Sequence, residues 1–154
     1  MASESELIAA LSAVFKLSDA NVRENVLIGI GDDGAVIAPS SRKSVLAADM
    51  AIEGVHFNRK WSTLREIGAK ITAANLADIY AMGGDPKYLL VSAGLTADFG
   101  IAEITELAQG IAEEAALVGA SVVGGDISRA EQLVISISVF GEVEKPITRS
   151  AAKV

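Results

Sequence analysis

The stretch Gly29-Ile-Gly-Asp-Asp-Gly34 places two adjacent carboxylates in a glycine-rich turn between two short apolar runs. The string also matches the G-x-G-x-x-G dinucleotide fingerprint, which requires a helix to begin at the glycines so that its N-terminus meets a pyrophosphate. Here the next residues, Ala35-Val-Ile-Ala-Pro39, form a strand-like run that is too short for a helix and ends at proline. Two aspartates would also repel a bare pyrophosphate. We therefore interpret the turn as a site for hard cations, with phosphate arriving through the metal.

The composition limits the class of protein. The chain has 154 residues and is 51% hydrophobic, enough for one domain with its own core. It contains no cysteine, which removes disulfides, thiolate metal sites and cysteine nucleophiles, and we expect a cytoplasmic protein. The formal net charge of −7 argues against a nucleic-acid partner. No apolar run approaches the roughly 18–20 residues of a membrane span, so no membrane partner is expected.

The hydrophobic periodicity predicts an α+β fold, with a mixed β-sheet and helices packed on one face. Residues 1–144 are assigned to this domain, and 145–154, which carry few large apolar residues, to a linker. The mostly polar residues 17–25 are predicted to form a mobile loop. The predicted helices cover 4–16, 63–82 and 101–118, and the predicted strands cover 35–38, 44–50, 88–95, 121–123 and 133–143.

Acidic residues recur beside glycines, at the ends of elements or on apolar faces, at Asp32, Asp33, Asp49, Asp78 and Asp126. Mg²⁺ prefers octahedral oxygen ligands and typically takes one or two carboxylates plus substrate phosphates. Structural alternatives stay open, because Asp-Asp and Asp126 also suit turns, Asp49 suits a strand end and Asp78 suits an ion pair. The residues alone indicate an acidic α/β domain with a candidate Mg²⁺ site.

Two of these acids fall on predicted apolar faces. Strand alternation puts Asp49 on the face of Val45 and Ala47. Helical spacing puts Asp78 on the apolar stripe of its helix, with Asn75 three residues before it. A carboxylate on a buried face needs a partner, because an unpaired buried charge is strongly destabilising.

Other catalytic signatures are missing from the sequence. It contains no P-loop string, no EF-hand loop and no H-E-x-x-H. A single histidine, His56, leaves little room for a serine–histidine pair, and a lone histidine is more often structural. We therefore predict no catalytic nucleophile and no committed general base.

Taken together and in this order, the acidic and glycine-rich segments resemble the thiamine-monophosphate kinase family. That family belongs to the ATP-binding superfamily of AIR synthase and selenophosphate synthetase. The matches span nearly all of residues 26–150, and Glu53-Gly-Val-His-Phe57 is the most specific of them. The other matching segments are Gly29-Ile-Gly-Asp-Asp33, Ala48-Asp-Met50, Lys70 with Ala74-Asn-Leu-Ala-Asp-Ile79, Ala81-Met-Gly83 before Pro86, Val123-Gly-Gly-Asp126 and Thr148-Arg-Ser150.

The resemblance implies ATP-dependent phosphorylation of thiamine monophosphate to thiamine diphosphate by direct in-line transfer, with several Mg²⁺ ions. It also implies a homodimer in which the sheets of two such domains pack together, with ATP bound near that junction. The matching metal-ligand positions are Asp33, Asp49, Asp78 and Asp126, with Asp32 adjacent to them and Ala48 offering only its backbone carbonyl. Gly125, Asp126 and Arg149 match ATP-binding positions, and His56 matches a substrate-binding one.

Two departures from the family pattern stand out. Ala47 and Ala48 stand where the family usually has hydroxyl residues, so hydroxyl ligation is absent there. The family is also about twice this length, and its second domain carries further metal ligands and much of the thiamine pocket. We therefore expect this chain alone to lack kinase turnover. The alternatives are another phosphoryl-transfer enzyme of the superfamily, or a non-catalytic nucleotide-binding and dimerisation module.

Overall fold

A computed structural model describes residues 3–16 and 24–151 of the chain. Most of the loop predicted at 17–25, and the last three residues of the predicted linker, lie outside these described residues. The helices are α1 (Glu4–Val14), α2 (Leu64–Ala81) and α3 (Ile101–Ala116), and the strands are β1 (Val26–Ile28), β2 (Val36–Ile37), β3 (Lys43–Ile52), β4 (Asp85–Leu95), β5 (Ser121–Arg129) and β6 (Val134–Val143).

Four strands form the main sheet, in the order β3-β6-β4-β5. Strand β6 is antiparallel to both β3 and β4, whereas β4 and β5 are parallel and are joined through α3. Helices α2 and α3 pack against each other and on the sheet, and α1 packs against α3. The predicted α+β fold with helices on one face of a mixed sheet is confirmed. Strands β3 and β5 are its two edges.

Side-chain alternation along the strands separates a covered face from an open one. On β6 the inward residues Ile135, Ile137 and Val139 are fully buried, and each such burial contributes roughly 1.5–3 kcal/mol. On β3 the outward residues Leu46 and Met50 remain 61% and 56% exposed. The helices therefore cover one face of the sheet, and the opposite face carries large apolar side chains in contact with solvent.

Helix α2 begins and ends where its sequence predicts. The Thr63 hydroxyl accepts the Glu66 backbone N–H (3.2 Å), and the Glu66 carboxylate accepts the Thr63 N–H (2.8 Å), which forms a capping box. The hydrogen bond from the Thr63 backbone N–H lowers the pKa of the Glu66 carboxyl below its ordinary value. After the helix, Gly83 adopts a φ of +75°, a conformation that favours glycine. None of the helices in the described ranges is long and apolar enough to cross a membrane.

The structure differs from the sequence-based elements at both glycine-rich segments. Residues 26–28 form the extra strand β1, which pairs antiparallel with β2. Strand β5 continues through Gly124, Gly125 and Asp126 to Arg129, whereas the prediction ended the strand at 123. Asp126 therefore lies inside a strand that is paired with β4, because the glycines let the two backbones approach closely. The division between domain and linker near residue 144 stays a prediction.

Candidate functional site

The acidic turn connects β1 and β2. Gly31 has a φ of +116°, in the region that favours glycine, and lies in the turn that reverses the chain between the antiparallel strands β1 and β2. The Asp33 backbone N–H donates to Asp32 Oδ1 (2.9 Å), and both aspartates are exposed. A strand follows the turn, so the helix that a dinucleotide fingerprint requires is absent at this position.

A cavity of about 590 Å³ lies beside β5, between α1, α3 and the acidic turn. Its interior is apolar, with side chains such as Phe15, directly after the end of α1, and Leu107 from α3. Asp32, Asp33 and Asp126 also line it, and because all three are exposed they lie where the cavity opens to solvent. The cavity therefore combines an apolar interior with an acidic entrance.

Strand β5 brings Gly125 and Asp126 to this cavity. Gly125 is paired with Val91 of β4, and a Cβ at position 125 would lie 1.8 Å from the Val91 carbonyl oxygen. Only glycine allows this approach of the two strands. Asp126 is paired with Ser92, and its Oδ2 accepts a hydrogen bond from the Ser128 hydroxyl (3.2 Å).

A second acidic group lies at the other edge of the sheet. Asp49 is on β3, on the side of the buried residue Val45, as predicted, and its carboxylate is exposed. Its backbone N–H donates to Asn75 Oδ1 on α2 (3.0 Å), and Asp78 follows one helical turn later. Asp78 is exposed, so the expectation that it lies on a buried face is wrong. The buried polar residues of this helix are Thr72 and Asn75.

The predicted ligands therefore form two groups within one chain. Asp32, Asp33 and Asp126 lie at the cavity, and Asp49 and Asp78 lie at the β3 edge of the sheet. Asp126 is in the same cross-strand row as Met50, and Asp49 is the residue before Met50. The two edge strands are three strand spacings of about 4.8 Å apart. Among the described residues, no three His, Asp or Glu side chains are grouped so that they could hold a metal ion. The roles of Asp33, Asp49, Asp78 and Asp126 as ligands stay predictions.

Ion pairing distinguishes these acids from others in the fold. Glu53, Asp85, Asp98 and Glu113 each lie within 2.6–2.9 Å of an arginine nitrogen. By contrast, the carboxylates at positions 33, 49 and 78 make no ion pair or side-chain hydrogen bond within residues 3–16 and 24–151. The ion-pair alternative for Asp78 is thus not supported. Exposed carboxylates without a cationic partner are chemically suited to Mg²⁺.

The segment 53–59, between β3 and α2, holds its single histidine in a fixed orientation. The Ile52 backbone N–H donates to His56 Nδ1 (3.0 Å), so the neutral ring carries its proton on Nε2. The Lys70 ammonium donates to the His56 carbonyl (3.1 Å). Because the ring is exposed, its Nε2–H is available as a donor to a ligand.

Comparison with known proteins identifies the family. The family model described as AIR synthase related protein, N-terminal domain, matches residues 31–143. The chain belongs to this family. The matched range includes Asp32 and all four main candidate metal ligands, together with Gly125 and His56. Arg149 lies outside it.

Named relatives of this AIR synthase-related domain are thiamine-monophosphate kinases. That of Mycobacterium tuberculosis is 38% identical over 130 residues, which covers 83% of this chain and 39% of the relative. That of Bacillus subtilis is 39% identical over 133 residues, with coverages of 84% and 41%. The chain thus spans about two fifths of the length of these curated relatives.

A solved structure also resembles the AIR synthase-related domain over nearly its whole length. AaThiL complexed with AMPPCP and TMP has a TM-score of 0.70 and is 31% identical. The match covers 98% of this chain and 45% of that one. The resemblance to the kinase family that the motifs indicate is confirmed.

The remaining predicted site residues of the AIR synthase-related domain lie apart from the cavity. Arg149 is in a short 3₁₀ helix, Arg149–Ala151, and does not line the cavity. Its segment is joined to the end of α2 by the Ile147 N–H, which donates to the Met82 carbonyl (2.9 Å). Ala48 lies exposed on β3, paired with Ser138 of β6.

Sequence reasoning missed three features of the site. The contribution of α1 to the cavity had no signal, because its apolar spacing fits any packed helix. The contact between Asn75 and Asp49 had a signal, since an amide on an apolar helix face needs a partner. The third feature is an ion-paired brace in the segment 53–59 that carries the histidine: Arg59 donates to Glu53 (2.9 Å) and Asp98 (2.8 Å) and lies over the Phe99 ring.

We expect the brace in the AIR synthase-related domain to be sensitive to acid. Hydrogen bonding to Arg59 lowers the pKa of Glu53 below its ordinary value. Its charged form therefore stabilises the fold above the unfolded-state pKa of about 4.3, and the stabilisation is lost as the pH falls through the lowered pKa. The side chains of Arg59 and Glu53 are less than a third exposed, at 28% and 21%. Glu53→Gln should lower the unfolding free energy by about 1–2 kcal/mol at pH 7.

Urea unfolding from pH 7 to pH 3 measures this effect. The difference between the variant and the wild type should stay constant down to about pH 5 and shrink below about pH 4. Glu131→Gln is the matched control, because Glu131 is exposed and makes no ion pair within the described residues. An equal loss in both variants, or a Glu53→Gln loss that does not depend on pH, would contradict the proposed brace.

Proposed function

We propose that this domain is the N-terminal, ATP- and Mg²⁺-binding domain of a thiamine-monophosphate kinase. In the proposed reaction the γ-phosphoryl group leaves ATP as its bond to the β-phosphate oxygen breaks. A phosphate oxygen of thiamine monophosphate forms the new P–O bond, which gives thiamine diphosphate and ADP. The observation that carries the proposal is the cavity beside β5, with its apolar interior and acidic entrance.

The lining of the cavity suits a nucleotide bound through a metal. Ligand sites are mostly apolar with a few placed polar groups, and the apolar side chains of α1 and α3 offer such a surface to a base. The carboxylates of Asp32, Asp33 and Asp126 cannot contact phosphate oxygens favourably, because carboxylate and phosphate are both anionic. Gly125 also lines the cavity, and because it has no side chain its backbone is open to a ligand there. AMPPCP, an ATP analogue, is bound in the similar AaThiL structure.

Five exposed aspartates that make no ion pair within the described residues are the proposed Mg²⁺ ligands. Asp33, Asp126 and Asp32 would hold metal at the cavity entrance, and Asp49 and Asp78 would hold it at the β3 edge. Bound Mg²⁺ neutralises triphosphate charge and stabilises the transferring phosphoryl group. The chain's own part is to present oxygen ligands on two strands, one helix and one glycine turn. Ala48 adds only a backbone carbonyl, and Arg149 is retained as a nucleotide contact from the family pattern.

A second copy of the domain is the proposed partner on the open face of the sheet. Leu46 and Met50 are exposed there. Asp126 is in the same cross-strand row as Met50, so it belongs to the same face of the sheet, at the opposite edge. Exposed apolar surface of this kind commonly marks an interaction site. Because ATP is the proposed phosphoryl donor, we place the enzyme in the cytoplasm.

His56 is the proposed contact to the phosphate of the acceptor. Its Nδ1 is occupied by the Ile52 N–H, and its exposed Nε2–H is free to donate to an anionic oxygen. A hydrogen bond to a charged group contributes about 1.5–3 kcal/mol. The AaThiL structure, which holds TMP, supports a site for this ligand in a similar fold.

Nitrogen NMR of the single histidine tests the proposed function. With Mg²⁺ and AMPPCP present, thiamine monophosphate should shift the Nε2 resonance, and thiamine, which has no phosphate, should not. His56→Asn keeps an acceptor near the Nδ1 position and should weaken thiamine monophosphate binding about tenfold. His56→Gln keeps an outward donor and should bind more tightly than the Asn variant. Equal shifts with thiamine, or none with either compound, would contradict the proposed contact between His56 and the phosphate of the acceptor.

A further inference from the structure

One buried polar side chain of α2 makes a hydrogen bond outside its own helix. Asn75 is 0% exposed. Its Nδ2 donates to the Ile71 carbonyl within the helix (2.9 Å), and its Oδ1 accepts the Asp49 N–H of β3 (3.0 Å). Thr72, one turn earlier on the same buried face, is also 0% exposed, but its hydroxyl has no partner among the described residues. The contact to β3 is therefore specific to position 75.

The contact to Asp49 stabilises a strand that the sheet supports on one side only. Strand β3 is an edge strand, and within residues 3–16 and 24–151 it pairs with β6 alone. Edge strands leave backbone groups without a ladder partner, and a side-chain acceptor can satisfy them. Asn75 provides that acceptor, and the Ser136 hydroxyl of β6 donates to the Asp49 carbonyl (3.3 Å). The backbone of residue 49 is thus fixed by a helix and by a neighbouring strand.

The same contact lies between two carboxylates. Asp49 is bonded to Asn75 through its backbone, and Asp78 follows Asn75 by three residues, a spacing at which Cβ atoms on a helix are about 5–6 Å apart. Neither carboxylate makes an ion pair in the part of the chain that the structure describes.

We propose that Asn75 is a positioning residue, which fixes Asp49 against the turn of α2 that carries Asp78. Asn75 touches no ligand and acts through Asp49. This role rests on the proposed function, because Asp49 and Asp78 are then ligands of one divalent cation. Its buried amide sets the separation of the two carboxylates before the cation arrives, so that less ordering is needed on binding.

Binding of Mn²⁺ alone to the full chain, measured by electron paramagnetic resonance, tests the role without any enzymatic readout. Asn75→Thr is nearly volume-matched: a helical threonine can bond back to the Ile71 carbonyl but is too short to reach β3. Asn75→Ala removes both bonds and is the second variant. Thr72→Val is the control, because it removes a buried hydroxyl from the same helix face without breaking a contact. Circular dichroism checks the fold of each variant.

We expect hydrogen exchange of the Asp49 amide to accelerate in both Asn75 variants and not in Thr72→Val. The Mn²⁺ dissociation constant should rise about tenfold in both Asn75 variants, and more in Asp49→Asn. Because Asn75 acts through Asp49, the double variant Asp49→Asn/Asn75→Thr should bind Mn²⁺ as weakly as Asp49→Asn alone. Thr72→Val should bind as the wild type does.

The outcomes separate this role from the metal site itself. Unchanged Mn²⁺ affinity in the Asn75 variants, or losses that add in the double variant, would overturn the positioning role and leave the site intact. Unchanged affinity in Asp49→Asn would overturn the β3-edge metal site and the positioning role together. Failure of both Asn75 variants to fold would assign the residue a structural role only, which also overturns the proposal.

Discussion

A Gly125→Ala variant is expected to lose about 3 kcal/mol or more of unfolding free energy, or to fail to fold. The added Cβ would lie 1.8 Å from the Val91 carbonyl oxygen and 2.8 Å from its carbon, and both atoms belong to the backbone of β4. No side-chain rotation relieves such a contact. The parallel pairing of β4 with β5 must therefore open at the point where Asp126 is held.

Urea unfolding followed by circular dichroism measures the loss. Gly34→Ala is the matched control, because a Cβ at Gly34 meets nothing within 4 Å and its φ is not in the left-handed region. That variant should stay within about 0.5 kcal/mol of the wild type. A Gly125→Ala protein with wild-type stability would contradict the close approach of β4 and β5. The glycine would then need a reason in ligand binding alone.

The protein is expected to sediment as a dimer, with twice the 15.9 kDa mass of one chain. The double variant Leu46→Lys/Met50→Lys is expected to sediment as a monomer. Both side chains are more than half exposed on the open face of the sheet, at 61% and 56%. Their replacement removes little from the packing within one chain. Lysines there would have to be desolvated in a sheet-to-sheet contact, which opposes association strongly.

Analytical ultracentrifugation at micromolar concentration distinguishes the two states. Leu117→Lys is the control, because Leu117 is 77% exposed after the end of α3 and lies away from the open sheet face. It should leave the mass unchanged. A wild-type mass near 15.9 kDa, or a dimeric double variant, would contradict the proposed contact between open faces.

Local sequence signals were sufficient for most of the fold. The capping box of Thr63 and Glu66 set the start of α2, and alternation along β3 placed Val45 inward and Leu46 outward. Two adjacent glycines led to a wrong prediction of the end of β5. Gly124 and Gly125 are typical of turns, but here they continue a strand because a neighbouring backbone lies too close for any side chain. That proximity depends on the sheet order, which no local pattern contains.

The candidate site was predictable only in its residue types. Glycine-flanked aspartates indicated hard-cation chemistry, yet nothing in the spacing shows that Asp49 and Asp126 lie at opposite edges of one sheet. Strand order is a property of long-range pairing, in which β6, the last strand in the chain, enters between β3 and β4. The exposure of Asp78 was missed for a related reason. Helical spacing puts Asp78 on the apolar stripe of α2, but the sheet does not cover that stripe at position 78.

Thermal melts with and without Mg²⁺, in the presence of AMPPCP, test most directly whether the unpaired aspartates are cation ligands. Ligand that binds only the native state stabilises it by about 2.7 kcal/mol at roughly 100 times its dissociation constant, which raises the melting temperature by several degrees. Without Mg²⁺, Asp33→Asn and Asp49→Asn should melt near the wild type, because neither carboxylate has an ion pair to lose within the described residues.

The control for these melts is Asp85→Asn, which breaks an exposed ion pair with Arg42 (2.8 Å) at the same change of charge. It should keep the full rise that Mg²⁺ produces. The account predicts that Asp33→Asn and Asp49→Asn lose most of that rise. If both variants keep the wild-type Mg²⁺-dependent rise, the proposed metal- and nucleotide-binding site is contradicted. Asp33 is then only a turn residue, and Asp49 is only a strand-edge residue.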